Sequence, residues 1–482
     1  MIKIYRVPQE EELSDLYKVF IEGGSVPVRR ARVSAVPYNT SWPGRQRPQD
    51  QTEEAAFISI AVDCRTDIYV VPASLSENGM NGRVPDIVAR PLSKGASAVP
   101  YEDGVLLTIP GPGFYTLEIG GFHNCLHIFA DDASEDRTPA DGAPKAAYCF
   151  ANGCFDAGEI DLKSGETLYI DETAVVFATV NVKNADNVTI RGRGVLDNSR
   201  AVRDTGACLP YGAIRVTNSR NVTVEGITIR DSSCWNITVR SCADVQVRGV
   251  KIIGSWRYNT DGIDVVNSRR CTIRNSFLRT FDDVIALKGL KGSDDADVLD
   301  VRVSGCVLWC DWGRCLEIGA ETCADEYRGI VFEDCDLIHG DCILMDLQNG
   351  DRASVHDVVF RDIRCEYNSR QLRPVYQSDM EKPYDGGPGL FFPVLFKAHL
   401  YRGLWSDDML FGENYDVLLE NISVLTDEGA AGVVPEVVLE GADEDHWTKG
   451  VTFKNLTING EKAGAERLAL TVGKFAERPA VI

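Results

Sequence analysis

The stretch NVTVEGITIRDSSCWNITVRSCADVQVRGVKII, residues 221–253, contains one phrase twice: a polar residue, an alternating strand, a glycine and a second short strand. Similar phrases begin at Asn187, Asn221, Asp244, Arg270, Asp300, Gly329, Asp357, Asp416 and Gly450, at steps of 34, 23, 26, 30, 29, 28, 59 and 34 residues. Such repeats without helical periodicity are typical of a β-solenoid, in which each turn buries its inward residues against the next. A sandwich of similar strands is the alternative, but it gives no reason for nine recurrences.

A second strand in each turn can be aligned by its alternation of apolar and polar residues. The predicted inward column is Ile214, Ile237, Ile263, Ile285, Leu316 and Ile343. Two residues earlier, the same alignment gives Gly212, Trp235, Asp261, Asp283, Arg314 and Asp341. Stacked strands lie roughly 4.7 to 4.9 Å apart, so these side chains are expected to be neighbours on the flank of the solenoid.

Asp261, Asp282 and Asp283 have two interpretations. Aspartate is common at turns, and an Asp-Asp pair before a strand can be a solvated corner. However, like charges on neighbouring strands are destabilising, and among close carboxylates one has its pKa raised and can serve as a general acid. We therefore predict that all three are catalytic. Glycoside hydrolysis needs this equipment, with roughly 6.5 to 9.5 Å between acid and base when the anomeric centre is inverted.

The composition narrows the classes of partner. The formal net charge of -22 does not favour binding to nucleic acid or to anionic membranes. The N-terminus has no signal-peptide pattern, and no stretch has the ~18 apolar residues of a membrane span. Fifteen scattered cysteines without paired CxxC spacing suit reduced, buried thiols rather than a metal site. We expect a cytoplasmic protein that needs no metal or organic cofactor.

The chain divides into two predicted domains. Residues 57–130 alternate in short runs separated by turns, which predicts a small β-sandwich, and residues 131–147 suit a linker. We therefore assign residues 1–145 to a sandwich with its linker and residues 146–482 to the solenoid. The 59-residue step predicts an insertion, 367–415, rich in aromatic residues. It is either a wall of a binding cleft or an oligomer contact, and the N-terminal domain could also mediate a homo-oligomer.

Three motifs carry a resemblance to a known family. Asn259-Thr260-Asp261, Asp282-Asp283 and Gly313-Arg314-Cys315 resemble the NTD, DD and GHG motifs of glycoside hydrolase family 28, the polygalacturonase-like enzymes. The sandwich also resembles the extra domain of dextranase-like β-helix hydrolases. The resemblance implies an all-β fold with a right-handed parallel β-helix and an inverting hydrolase. It further implies Asp282 as general acid, with Asp261 and Asp283 positioning and deprotonating the water.

Two departures from the family pattern concern the substrate. Arg314 stands where the family has histidine, and its role is to keep Asp283 ionised, to bind substrate hydroxyls or to form a plain salt bridge. The later RIK motif aligns with Leu344-Met345-Asp346, so both uronate-binding cations are absent. Asp346, and with it Glu317 and Asp341, would repel a uronate carboxylate.

The absent cations favour a neutral-sugar glycoside, in an oligo- or polysaccharide. Lys288, predicted two coils from Asp346 in one outward column, could compensate in part. An exo-acting polygalacturonase on pectic oligogalacturonides is the alternative, and a non-catalytic carbohydrate-binding β-helix is another. A lyase or epimerase on the same scaffold fits less well, since it needs a cation for the uronate. The candidate substrate-binding residues are Asn259, Arg314, Lys288, Trp235, Glu317, Asp346 and Trp256.

Overall fold

The computed structural model describes residues 1–34, 52–73, 86–135, 146–201, 212–292, 296–369 and 392–482. Within these ranges the chain is built almost entirely of strands in four sheets. The short 3-10 helices are Leu92–Lys94, Ala133–Glu135, Glu428–Ala430 and Ala465–Arg467. None of the described helices is long and apolar enough to cross a membrane.

The N-terminal part forms two mainly antiparallel sheets around one apolar core, which fits the predicted sandwich. The first sheet contains Ile2–Ile4, Arg29–Ser34, Thr52–Val62, Ile87–Arg90, Gly113–Ile119 and Leu126–Asp132. The second contains Tyr17–Ile21, Gly24–Val26, Thr66–Pro72, Ser97–Tyr101 and Gly104–Ile109. The predicted boundary at 145/146 borders residues 136–145, which lie outside the described part.

From Tyr148 onward the chain winds into a right-handed parallel β-helix, as the sequence predicts. Each full coil adds one strand to an outer sheet and two to a folded sheet. The outer sheet contains Tyr148–Phe150, Thr167–Ile170, Val188–Gly192, Arg220–Glu225, Ala243–Arg248, Arg269–Arg274, Val298–Ser304, Glu326–Arg328, Ile330–Glu333, Ser354–Val355, Val358–Arg361, Glu413–Asn414, Val417–Glu420, Val451–Lys454 and Ala480–Val481.

The folded sheet runs the whole length of the β-helix. Its strands are Gly153–Leu162, Ala174–Lys183, Val195–Asp197, Ile214–Thr217, Thr228–Arg230, Ile237–Arg240, Lys251–Ile253, Ile263–Val266, Phe277–Thr280, Ile285–Gly289, Val307–Cys310, Arg314–Thr322, Asp336–His339, Ile343–Asn349, Arg364–Tyr367, Val394–Leu400, Ser423–Thr426, Glu436–Glu440, Thr457–Ile458, Glu461–Lys462 and Ala469–Val472. One apolar core continues from Ile160 to Leu468.

The recurring phrase has a backbone explanation. The first residue of all nine phrases, such as Asn221 and Asp244, has φ between 51° and 68°, the left-handed region. Asparagine, aspartate and glycine adopt this conformation at the lowest cost, and eight of the nine positions hold one of them. Arg270 is the exception. The phrase therefore marks the turn that enters each outer strand.

The sandwich packs on the first strands of several successive coils in the folded sheet. Phe57, Phe114 and Phe129 of the sandwich share an apolar cluster with Phe277 and Trp309 of the β-helix. Phe129 and Phe277 have ring centroids 5.1 Å apart. This packing covers one face of the β-helix. The bend between the first and second strands of each coil lies next to the covered face.

Two predictions are wrong: the register of the last aligned coil and the extent of the insertion. Arg314 pairs with Ile343 and Leu316 with Met345, so the last coil is shifted by two residues and Asp341 is not in the column of Arg314. The preceding strand pair has an irregular register between Leu308 and Trp309, which breaks the regular count. Within the predicted insertion 367–415, Val394–Leu400 and Glu413–Asn414 are ordinary coil strands; residues 370–391 lie outside the described part.

Candidate active site

The three aspartates meet at the bend between the two strands of the folded sheet. Ile237, Ile263 and Ile285 are in register, so Trp235, Asp261 and Asp283 occupy equivalent places on successive coils. The amide of Gly262 donates to the Asp283 carbonyl at 2.8 Å, which continues the ladder into the bend. The predicted stacking of Asp261 and Asp283 therefore agrees with the structure.

Local sequence allows the coils to come this close. Asn259 adopts φ 57°, which turns the chain just before Asp261, and its side chain is nearly buried. Gly313, on the next coil, lies against the pair Asp282 and Asp283. A Cβ at Gly313 would stand 2.5 Å from Asp283 Oδ1 and 2.6 Å from the Asp283 amide nitrogen. A residue with a side chain at 313 would push the pair out of place. The GRC motif thus supplies space as well as charge.

Lys288 joins the carboxylates of the bend. Its Nζ lies 3.0 Å from Asp261 Oδ2, 3.4 Å from Asp264 Oδ1, 3.5 Å from Asp283 Oδ2 and 3.8 Å from Glu321 Oε2. The Lys288 side chain is only 5% exposed, which leaves little of it for substrate. Burial would lower its pKa, but the surrounding carboxylates raise it well above its usual value. Lys288 is therefore a fixed positive charge beneath the aspartates.

Asp282 differs from its neighbours because, within the described ranges, its carboxylate forms no ion pair or hydrogen bond. Its backbone carbonyl accepts a hydrogen bond from Thr280 Oγ1 at 2.6 Å. Burial, followed by the charges of Asp261 and Asp283, raises the pKa of Asp282 well above its usual value. The raised pKa favours the protonated form of the Asp282 carboxyl group.

The adjacent carboxyl group, that of Asp283, shifts in the other direction. Burial would raise the pKa of Asp283, but the Lys288 ammonium and the Arg314 guanidinium outweigh burial and lower it. The amide of Arg314 also donates to Asp283 Oδ1 at 3.1 Å. Asp261 is intermediate: burial raises its pKa to about 7, with Lys288 opposing. One acid and one ionised base thus stand next to each other in sequence.

Arg314 connects the aspartate pair to the next coil. Its Nη1 lies 3.8 Å from Asp283 Oδ1, its Nε lies 3.4 Å from Asp346 Oδ2, and its Nη2 donates to Gln348 Oε1 at 2.8 Å. Glu317 Oε1 is 3.8 Å from the same Nε. The Arg314 side chain is 27% exposed, whereas those of Glu317 and Asp346 are completely buried. Arg314 therefore covers these two carboxyl groups.

The two buried carboxyl groups under Arg314 both have raised pKa values. Burial, followed by the charge of Asp283, raises the pKa of Glu317 well above its usual value. Burial raises the pKa of Asp346 to about 6, against Arg314 and Lys397. His399 Nε2 lies 3.8 Å from Asp346 Oδ1, and burial lowers the pKa of His399 to about 3. Arg314 and Lys397 therefore oppose the effect of burial and favour the ionised form of Asp346.

The corrected register changes the assigned place of Lys288. The outward column that contains Asp346 runs Asp264, Ala286, Glu317, Asp346 and Lys397. Lys288 is two residues from Ala286 and approaches Asp261 rather than Asp346, because the neighbouring strand shifts register after Leu287. The prediction that Lys288 compensates Asp346 is therefore wrong.

The predicted tryptophans are mostly covered. Trp235 is 5% exposed, with Lys288 Nζ 4.6 Å from its ring centroid, so it packs under the bend. Trp256 is 3% exposed, its indole N–H donates to Asp231 at 2.6 Å, and Arg32 of the sandwich lies over its ring. Both offer little surface to a sugar.

Several residues of the site were not predicted from the sequence. They are Asp264, Glu321, Gln348, His399 and Trp312. Trp312 stacks on Phe281, the residue before Asp282, with ring centroids 6.0 Å apart. The Trp312 side chain is partly exposed. The sequence could have indicated Trp312, because residues 311–313 directly precede Arg314 and form the same bend on their coil. His399 and Gln348 depend on the corrected register, which alternation alone did not give.

Across the described part of the chain, no three or more His, Cys, Asp or Glu side chains are arranged to hold a metal ion. The described cysteines have free thiols, and most are buried.

The comparisons with known proteins agree with the motifs. Residues 138–372, just under half of the chain, match the model of "Glycosyl hydrolases family 28". The predicted family resemblance is confirmed. The family 28 match includes the three aspartates, Arg314 and Asp346.

Two curated relatives are plant proteins. A polygalacturonase of Malus domestica is 24% identical over 218 residues, 43% of this chain and 45% of the relative. An exopolygalacturonase of Zea mays is 25% identical over 187 residues, 37% of this chain and 42% of the relative. The matches thus span less than half the length of these relatives.

A solved structure extends the likeness to the whole fold. Dex49A from Penicillium minioluteum superposes with a TM-score of 0.64 over 99% of this chain and 96% of its own, at 13% identity. At this identity the likeness concerns the fold, including the N-terminal part, and not the activity.

Proposed function

We propose that this protein is an inverting O-glycoside hydrolase that acts on an oligo- or polysaccharide. The observation that carries the proposal is the contrast between two adjacent carboxyl groups. Asp282 has no cation partner among the described residues, whereas Asp283 lies within 4 Å of both Lys288 and Arg314. An acid and an ionised base in one bend are what glycoside hydrolysis requires. The family 28 match supports the same reaction class.

The proposed reaction uses each aspartate once. Asp282 gives its proton to the glycosidic oxygen as the bond from that oxygen to the anomeric carbon breaks. Asp283, with Asp261 beside it, takes a proton from a water that attacks the anomeric carbon on the opposite face. The products are two sugars, the new hemiacetal having inverted configuration. Trp312 is a candidate for stacking on a sugar face because it is partly exposed beside Asp282.

A neutral sugar is the substrate class that we favour. Arg314 contacts the RIK-equivalent strand at Asp346, and in all it contacts four side chains: Asp283, Glu317, Asp346 and Gln348. Releasing it to bind a uronate carboxylate would leave buried acidic groups without their cation, which costs free energy.

A second candidate is an exo-acting polygalacturonase. One observation favours it: Lys397 follows Asp346 in the outward column and is 24% exposed, with Glu440 at 3.8 Å as an ion-pair partner. A lysine at this place could bind a uronate carboxylate. The names of the plant relatives also point to pectic substrates.

The test is to incubate the whole chain with a panel of neutral chromogenic α-glycosides and oligogalacturonides and to measure their hydrolysis. NMR follows the anomeric configuration of the product. On the substrate that is cleaved, we expect Asp282→Asn to lower kcat by about 10²- to 10⁴-fold, the usual contribution of a general acid. Asp300→Asn is the matched control, since Asp300 is exposed on the outer sheet and asparagine suits its left-handed backbone. Unchanged turnover by Asp282→Asn, or retained configuration, would contradict the proposal.

The same panel separates the alternatives. Cleavage limited to oligogalacturonides, and lost in Lys397→Met, would favour the exopolygalacturonase. Binding of a glycan without product would favour a non-catalytic carbohydrate-binding protein. A product with ultraviolet absorbance would indicate a lyase. Cytoplasmic location and self-association through the N-terminal domain or the 367–415 segment stay predictions.

A further inference from the structure

A pocket lies between the sandwich and the β-helix, away from the aspartates. It encloses about 1060 Å³, including its open mouth. On the helix side it is lined by the turns after the outer strands, at Gly226, Gly249 and Asn275; on the sandwich side it is lined by Lys3 and Tyr5. The aspartates lie at the other end of the short strands that follow these turns, and none of them lines this pocket.

The pocket is rich in arginine although the whole chain is strongly acidic. Arg191, Glu225, Arg248 and Arg274 are in register on four successive coils, so neighbouring members of this row are roughly 4.7 to 4.9 Å apart. Arg193 and Lys3 add two more cations to the lining, against the carboxylates of Asp132, Glu172 and Glu225. A net positive lining in a chain of net charge -22 is a local exception.

Some of these cations are already neutralised. Arg248 pairs with Glu225, Lys3 Nζ lies 2.7 Å from Glu172 Oε2, and Arg193 Nη1 lies 3.3 Å from Asp131 Oδ1. They form the walls of the pocket.

Arg191 and Arg274 are different. Within the described residues, neither side chain has an ion pair or a hydrogen bond. The Nε of Arg191 is moreover buried from solvent without an acceptor. A buried donor without an acceptor is unfavourable, and such groups in native proteins call for an explanation. A bound ligand with acceptor oxygens would provide one.

We propose that this pocket binds a small ligand carrying an oxyanion, with Arg191 and Arg274 as its principal contacts. The planar guanidinium group matches the geometry of carboxylate and phosphate, which it can bind through two parallel hydrogen bonds. The ligand is an acidic sugar, binding through its carboxylate, or a phosphate compound, and the experiment separates these sources. The site is independent of the proposed hydrolase reaction, because it shares no residue with the aspartate bend.

Isothermal titration calorimetry of the whole chain tests the proposal with D-glucuronate, inorganic phosphate and, as neutral control, D-glucose. Saturable binding of either anion, and none of glucose at the same concentration, is expected. Arg191→Gln combined with Arg274→Gln should weaken that binding by about tenfold or more, as expected for losing charged hydrogen bonds. Arg269→Gln is the matched control, being an exposed arginine on the same strand as Arg274 but outside the pocket. Asp282→Asn should bind the anion as the wild type does.

A variant with the opposite expected effect guards against misfolding of the double variant. Glu225→Gln removes the carboxylate that occupies Arg248, so the anion should bind more tightly than to the wild type. No saturable anion binding, equal weakening by Arg269→Gln, or unchanged or weaker binding by Glu225→Gln would each overturn the proposal. The anion that binds more tightly identifies the source.

Discussion

At the scale of single residues, Arg314 is the clearest departure from the family motifs. It stands where the GHG motif has a histidine, between Asp283 on the preceding coil and Asp346 on the following coil. An arginine stays protonated throughout the working range and cannot exchange a proton during the reaction. Its contribution is therefore electrostatic: its charge acts to lower the pKa values of both Asp282 and Asp283.

Replacement of Arg314 should move the pH profile of the reaction. In Arg314→Gln the pKa of Asp283 rises, so the base is protonated at a higher pH and the acid limb of kcat/KM shifts upward. The alkaline limb, set by Asp282, should shift in the same direction because the same cation is removed. The measurement is kcat/KM against pH on the substrate found in the screen. Arg314→Lys should restore part of the shift and Arg269→Gln none of it; limbs that stay in place would show that Arg314 does not act on the pair.

The residues of the site could be predicted only as far as the register was regular. Asp261 and Asp283 were placed correctly because three consecutive coils keep the same alternation. Asp341 and Lys288 were misplaced because the strand pairs beyond Leu287 and Leu308 are irregular. The alternation of apolar and polar residues shows which face of a strand a residue is on. A single extra residue, however, changes the pairing of every residue that follows it.

At the scale of elements, the bend between the two strands of each coil forms the site. The bend around Asp282 and Asp283 touches the next coil at Gly313, where no side chain fits. The sequence predicts this bend from the pair Asp282 and Asp283. It does not predict the contact with Gly313, because that contact depends on the path of the next coil just before its second strand.

Gly313→Ala should damage activity more than stability. Its Cβ would stand 2.5 Å from Asp283 Oδ1, so the aspartate pair must shift. Since small displacements of catalytic groups can cost about 10²-fold in rate, we expect a loss of kcat of that order. Gly432→Ala is the control, because a Cβ there meets nothing within 4 Å. Kinetics with the cleaved substrate and thermal unfolding of both variants are the measurements, and a normal kcat for Gly313→Ala would contradict this role.

At the scale of the whole molecule, a buried charge network fastens the sandwich to the β-helix. Arg90 of the sandwich pairs with Glu118 of the same sheet and with Glu366 of the helix, and His339 of the helix bonds to Glu118. All four side chains are at most 4% exposed. Breaking such a network by removing one partner is strongly destabilising. The sequence could not predict it, because its members are up to 276 residues apart.

This network should make the fold sensitive to acid. Burial would raise the pKa of Glu118, but Arg90 and His339 outweigh burial and lower it from 4.5 to about 2. The unfolded chain therefore binds this proton more readily, and stability is lost as the pH falls from about 4.5 to about 2, by roughly 3 kcal/mol. Burial also lowers the pKa of His339, which acts in the same direction.

Urea unfolding of the wild type and of Glu118→Gln between pH 7 and pH 2.5 measures this contribution. The variant should be less stable at pH 7 and should lose less stability on acidification. Glu102→Gln, at an exposed turn of the sandwich, is the control and should follow the wild type. Parallel curves for the wild type and Glu118→Gln would exclude the network as the source.

Arg314 also sets a thermodynamic link between what the protein binds and how it reacts. One guanidinium lies against both the ionised carboxylate of Asp283 and the strand where the family keeps its uronate-binding cations. Any ligand that drew this charge toward itself would raise the proton affinity of Asp283, and by reciprocity protonation of Asp283 would free the guanidinium for that ligand. An acidic sugar would then bind best at a pH where the base is inactive. In the proposed reaction, the charge of the substrate and the pH range of catalysis are therefore not independent variables.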